Sequence, residues 1–204
     1  IRKIHSEEIE NLQSSDYLRR LIFDEILSNF LISSEIRKKI KKIKKKEKIF
    51  DPHICQKYLK KFKFILTNDQ IKAMKVINND LKSKQRMFRL LQGDVGSGKT
   101  IIALIAALNV IKSGFQVALM VPTEILAKQH YNFASDLFGK DISIELLTGK
   151  TEYKQKKSTL ENIKQNKIKL IIGTHALFQK KVDYKNLGLI IIDEQHKFGV
   201  RQRK

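Results

Sequence analysis

At 204 residues, with 41 Lys plus Arg against 21 Asp plus Glu and a formal net charge of +20, the chain can build one sizeable core and a smaller appendage. Its charge suits a polyanionic partner, either nucleic acid or an anionic membrane surface, although part of the excess follows a general richness in Lys, Ile and Asn. One cysteine, Cys55, excludes an internal disulfide framework and fits a reducing cytosol; the most apolar helical run, IIALIAALNVI, falls far short of the ~20 residues that cross a bilayer, and no signal peptide is expected.

Because the first residue is Ile1 rather than Met, the chain is expected to begin inside a longer protein. Residues 1–60 read as a helical, basic connector. In DYLRRLIFDEILSNFL the apolar residues Leu18, Leu21, Ile22, Ile26 and Phe30 recur at spacings of three and four, which puts them on one helical face suited to packing on a neighbouring domain. RKKIKKIKKKEK follows, at 37–48, nearly every residue basic; such a run is a solvated or mobile segment, with DNA contact as the competing reading.

From residue 61 onward strands and helices alternate. Strands are expected at 88–91, 116–121, 142–147, 169–172 and 189–192, and helices at 100–112, closed by Gly114, at 123–138 and at 151–165. Apolar strands such as VALMV and LGLIIID between helices of this length predict an α/β fold with a parallel sheet covered on both faces. Crossovers in such a sheet are right-handed, and ligands bind beyond the carboxyl ends of its strands.

GDVGSGKT places three of the chain's 9 glycines in one short loop. It fits G-x-x-x-x-G-K-[ST], between a strand-like and a helix-like run, the context a phosphate-binding loop requires. Backbone amides from Gly93, Asp94, Gly96, Ser97 and Gly98 would form an anion nest at a helix N-terminus. Lys99 would reach the β and γ phosphates of a nucleoside triphosphate, and the Thr100 hydroxyl would ligate Mg²⁺. The glycines at 93, 96 and 98 do not match the dinucleotide fingerprint. LIIIDEQH ends on Asp193 and Glu194 at the tip of an apolar strand. Asp193 is the second expected Mg²⁺ ligand, and Glu194 is placed to orient the attacking water. His5, His53, His130, His175 and His196 show no metal-ligand spacing, so no zinc is expected.

This loop together with D-E-x-H resembles superfamily 2 helicases and translocases. FILTNDQ is similar to that family's adenine-recognition motif, and the resemblance implies that Gln70 reads the adenine edge while Phe64 packs beside the base. MVPTEILAKQHY resembles motif Ia, LLTGK motif Ib and IIGTHALFQ a further nucleic-acid-contacting loop. By that resemblance Pro122, Thr123, Thr148, Gly149, Thr174 and His175 touch the phosphate backbone of one DNA strand, contacts that position without reading sequence. Gln195 and His196 would couple nucleotide to DNA. Without the resemblance, Pro122 and Thr123 read as a capped helix start and His175 as a polar loop residue.

RLLQGDVGSGKT, ALMVPTEILAKQHY, GTHALFQ and IIDEQHKFGVRQR together resemble the RecG family of bacterial ATP-dependent DNA helicases, over about residues 15–204 and most densely from Phe64. The transcription-repair coupling factor has a related motor but resembles DEEH where this chain has Gln195. Lys63 and Arg86 stand where the RecG family often has proline, and Lys197 where it often has arginine, which gives up a bidentate contact. The resemblance implies a RecA-like P-loop sheet over 61–204, the first motor domain, incomplete at its C-terminus, behind a 1–60 connector. It further implies an ATP-hydrolysing helicase, cytoplasmic, that remodels branched DNA at replication forks and Holliday junctions in repair and recombination. A preceding oligonucleotide-binding wedge domain and a second RecA-like domain with arginine fingers would be missing partners, so this stretch alone is expected to be inactive. A nucleic-acid-binding module with a degenerate nucleotide site is the competing class; intact Gly98, Lys99, Thr100, Asp193 and Glu194 argue against it.

Overall fold

The computed structural model describes residues 16–42, 44–51, 53–61, 65–179 and 181–194. They fall into two compact units: one draws on the chain up to Lys46 together with Lys84–Arg89, the other on Glu47–Ser83 and the chain from Leu90.

The first unit is dominated by helix α1 (Asp16–Lys42). Arg20 and Asp24, one turn apart, pair at 3.2 Å, the spacing at which helix side chains meet. The expected apolar face forms but lies open, with Ile26 63% and Phe30 66% exposed. After α1 the chain makes an isolated antiparallel bridge between Lys44 and Gln85.

The second unit is a four-stranded parallel sheet with helices packed on it. Its strands are β1 (Gln116–Met120), β2 (Ile144–Leu147), β3 (Leu170–Gly173) and β4 (Leu187–Ile192), in the order β2-β3-β1-β4. Its helices are α2 (Ile54–Lys61), α3 (Asn68–Lys82), α4 (Lys99–Lys112), α5 (Glu124–Phe138) and α6 (Tyr153–Lys164). All five residues of β1 and all four of β3 are buried. Successive strand side chains point to opposite faces, so burial of every one means that the sheet is covered on both along these two central strands; the edge strand β4 departs from the expected cover, with Ile190 and Ile192 each 46% exposed.

Helix α4 is apolar nearly all round, from Ile101 to Ile111, which marks a helix sunk in the core rather than lying on it. Leu104, Leu108 and Val110 are fully buried, each burial contributing about 1.5–3 kcal/mol. A second cluster joins Ala118 and Met120 of β1 to Leu147, Ile163, Ile171 and Leu177. Within it the fully buried Gln116 is satisfied at both ends of its amide. Its Nε2 donates to Ile163 O and Ile168 O at 2.9 Å, and its Oε1 accepts from Asn186 N at 3.1 Å.

The registers are what matter for the site. Met120 pairs with Gly173 and with Ile192, and Leu147 pairs with Gly173, so the last residues of all four strands lie in one row. Parallel strands deliver whatever follows them to the same edge.

The strand expected at 88–91 does not form. Residues 86–94 are irregular, and Phe88 and Leu90 are 73% and 77% exposed. An apolar run supplies only the side-chain half of a strand; the other half is a ladder with a neighbour, and this sheet makes its ladders among the four strands named above. The other expected elements agree with the observed ones to within a few residues at their ends.

Candidate nucleotide and nucleic-acid site

The loop expected to hold phosphate is shaped by two glycines. Gly96 and Gly98 both sit at φ +80°, where a side chain is strained, and Ser97 N donates to Asp94 O at 3.2 Å to close the turn between them. Gly98 is also the N-cap of α4 and carries no side chain to cap it, so the positive end of α4 faces the loop. A Cβ on Gly93 would approach Ser97 Oγ to 2.8 Å, so a side chain there would make the Ser97 hydroxyl rotate away. Lys99 folds back over the loop and its Nζ donates to Gly93 O at 2.7 Å and Asp94 O at 2.6 Å. Thr100 lies half-buried in the same first turn of α4.

Gln70 sits against this loop, but with its amide engaged. Thr67 caps α3, its Oγ1 accepting from Gln70 N at 3.3 Å, while Gln70 Oε1 accepts from Thr67 N at 2.9 Å, a reciprocal capping box. Gln70 Nε2 then donates to Ser97 O at 2.9 Å. The box is readable in TNDQ; the tie to Ser97 is not, since it joins residues far apart in the chain. Phe64 lies outside the described residues.

The three loops expected to meet DNA follow the row of strand ends. Thr123, after β1, is exposed and caps α5 by accepting from Leu126 N at 3.3 Å, with Pro122 beside it. After β2, Thr148 is buried and its N–H donates to Thr151 Oγ1 at 3.0 Å, while Gly149 is exposed. After β3, Thr174 is buried at the start of a 3₁₀ turn, His175–Phe178, on which His175 is exposed. Glu124, which the sequence did not single out, binds the first of these loops to the second: its Oε1 accepts from Lys150 N at 3.2 Å and its carboxylate pairs with Lys150 Nζ at 3.4 Å.

Asp193 ends the fourth strand in the same row. Its N–H donates to Met120 O at 2.9 Å, which continues the β1–β4 ladder by one residue. Its Oδ1 accepts from Glu194 N at 2.9 Å, and its Oδ2 lies 2.9 Å from His130 Nε2. The His130 hydrogen bond holds the Asp193 carboxyl below the usual carboxylate range; burial opposes this, and the His130 charge, the Glu194 amide and the Lys99 ammonium add to it. An ionised carboxylate only accepts, so Nε2 carries the proton of that bond. Glu194 has φ +52°, a left-handed conformation at the strand tip that costs about 1 kcal/mol or more in a non-glycine residue. Gln195 and His196 lie outside the described residues. His130 carried no usable signal in the sequence, because what identifies it is a contact across the fold.

A DEAD/DEAH box helicase model matches residues 67–204. The chain is 49% identical over 190 residues to the ATP-dependent DNA helicase RecG of Aquifex aeolicus (strain VF5), covering 92% of this chain and 24% of that protein. It is 42% identical over 207 aligned residues to RecG of Borreliella burgdorferi (strain ATCC 35210 / DSM 4680 / CIP 102532 / B31), covering 100% of this chain and 29% of that one. Among solved structures, a RecG bound to a three-way DNA junction superposes with a TM-score of 0.80 at 43% identity, covering 89% of this chain and 25% of that one. The chain thus spans about a quarter of the length of the relatives it matches. With a family match over more than half its length, and with RecG proteins as relatives, the chain belongs to the DEAD/DEAH box helicase family.

Proposed function

We propose that residues 61–204 are the first motor domain of an ATP-dependent DNA helicase that works in the cytoplasm on branched DNA, replication forks and Holliday junctions, in repair and recombination, and that residues 1–60 connect it to its neighbours. The observation that carries this reading is the row of strand ends, which brings Thr123, Thr148, Thr174 and Asp193 to one edge of the sheet. A motor must hold nucleotide and track close enough for one to act on the other, and this edge offers sites for both.

In this reading the triphosphate lies on the amides of Gly93, Asp94, Gly96, Ser97 and Gly98 at the positive end of α4. Lys99 exchanges its two loop carbonyls for phosphate oxygens. The Thr100 hydroxyl and the Asp193 carboxylate are hard oxygen donors, the kind that suits Mg²⁺, which takes one or two protein ligands alongside phosphates and water. Bound there, Mg²⁺ would neutralise charge developing on the phosphates. Glu194 orients the attacking water. Gln70 serves the adenine only by releasing Ser97, and otherwise steadies the loop. Pro122, Thr123, Thr148, Gly149, Thr174 and His175 hold one strand by its phosphates through hydroxyls, amides and an exposed imidazole, and Gln195 and His196 relay between the two sites. Separating strands calls on the wedge domain and second RecA-like domain of a longer protein.

The test is Lys99→Ala in the intact protein. ATP turnover is expected to vanish while binding to forked DNA stays nearly unchanged, because in this reading Lys99 faces the phosphates and the DNA loops are separate from it, after β1, β2 and β3. Wild-type ATPase activity in this variant would defeat the motor assignment. Strand displacement from synthetic forks without RNA polymerase separates a RecG-type helicase from a coupling-factor translocase.

A further inference from the structure

His130 lies inside α5, about two turns beyond the Thr123 cap, on a helix whose first turn is already fastened. Glu124 binds Lys150 through both its amide and its ammonium group, and Thr123 accepts from Leu126 N. The His130 side chain is 12% exposed, and its Nε2 stands 2.9 Å from Asp193 Oδ2. The other carboxylate oxygen, Oδ1, accepts from Glu194 N at 2.9 Å. With one contact on each oxygen the carboxylate plane cannot turn without breaking a hydrogen bond. Each oxygen keeps a further lone pair for another partner.

We propose that His130 is a positioning residue that acts through Asp193: its Nε2–H holds the carboxylate in the orientation that receives the nucleotide's divalent cation. This rests on the nucleotide-site reading above. Groups that hydrogen-bond a metal ligand fix its orientation before the metal arrives, and losing one typically costs about 10–100-fold in metal affinity or activity. His130 meets the condition for that role, since it is itself locked by a helix secured at its first turn and not by a mobile loop.

The experiment compares His130→Gln with His130→Asn in the intact protein. The glutamine amide nitrogen reaches the place of Nε2, whereas the asparagine nitrogen stops about one bond short; both remain polar, so neither buries an apolar group beside Asp193. Binding of a fluorescent ATP analogue is titrated against Mg²⁺, and melting temperature is measured without metal. His130→Asn is expected to raise the Mg²⁺ concentration for half-maximal binding by about 10-fold, with metal-free nucleotide affinity and melting temperature near wild type, and His130→Gln is expected to restore most of the loss. Equal Mg²⁺ dependence in His130→Asn and wild type would overturn the inference, as would a loss in His130→Asn that appears equally without metal. Asp193→Asn serves as the reference: if it abolishes the Mg²⁺ dependence while the His130 variants do not change it, the nucleotide site stands and only the role of His130 falls. If wild-type protein binds the analogue with no Mg²⁺ dependence, both fall.

Discussion

Gln70 Nε2 donates to Ser97 O at 2.9 Å, so the amide that caps the start of α3 also grips the loop at the start of α4. The two functions separate by substitution. Gln70→Glu keeps Oε1 for the capping box but loses the donor to Ser97, so melting temperature is expected to stay near wild type while ATP affinity falls. Gln70→Ala loses both and is expected to cost a further ~1 kcal/mol of stability. Thermal melts and nucleotide titrations of the two variants check this; equal nucleotide affinity in all three proteins would show that the Ser97 contact is incidental.

Gly173 closes β3 where β2 passes nearest. A Cβ there would overlap the Leu147 carbonyl oxygen, a backbone atom that cannot swing away. Gly173→Ala is therefore expected to destabilise by roughly 2–3 kcal/mol. Gly114→Ala is the comparison: its φ is +87° but nothing lies within 4 Å of the added carbon, so only backbone strain of about 1–2 kcal/mol applies. Chemical denaturation should rank Gly173→Ala as the more damaging, and the reverse order would mean that the sheet edge yields more easily than its packing implies.

Alkaline pH should loosen the second unit. Burial pushes the Cys55 thiol up to about 11 and the Tyr184 hydroxyl up to about 12. Burial, and then the hydrogen bond that Tyr58 donates to Asp141 at 3.0 Å, push Tyr58 up to about 12. These acids hold their protons more tightly folded than unfolded. The stability they contribute is complete below their ordinary values, about 9 for a thiol and 10 for a phenol, and is lost as pH climbs through the folded values. Melting temperature is expected to be level to about pH 9 and to fall between about pH 10 and 12. Tyr184→Phe should start lower, lacking the bond to Leu177 O at 3.2 Å, but fall less steeply.

DNA binding should be governed by phosphates. Affinity is expected to drop steeply with salt, as neutralised phosphates release counterions, and to vary little with sequence. His175, exposed on its 3₁₀ turn, offers a clean local probe. His175→Ala should leave stability within the usual surface range of about ±0.5 kcal/mol while weakening binding to single strands and forks alike. Unchanged affinity at low salt would remove that turn from the DNA surface.

Local spacing carried much of this protein's design in the sequence itself. Three glycines, Lys99 and Thr100 announce a tight loop of the kind that suits phosphate, and the structure supplies its shape: φ is +80° at Gly96 and Gly98, which glycine adopts without strain. The run from Ile101 to Ile111 announces a buried helix because it is apolar nearly all round, and VALMV announces a buried strand for the same reason; LGLIII reads alike, but as the edge strand β4 it leaves Ile190 and Ile192 each 46% exposed. What these share is a dependence on neighbours a few residues away. Whether FRLL becomes a strand depends instead on which ladder it meets, and only the folded sheet, with its order β2-β3-β1-β4, decides that. The same holds for the hydrogen bonds of Gln70 with Ser97 and of His130 with Asp193, which join residues 27 and 63 positions apart. A hydrogen bond requires two groups within about 3 Å and in line, and along a chain that spans up to ~3.3–3.6 Å per residue, spacing in the sequence places no such limit on distant pairs.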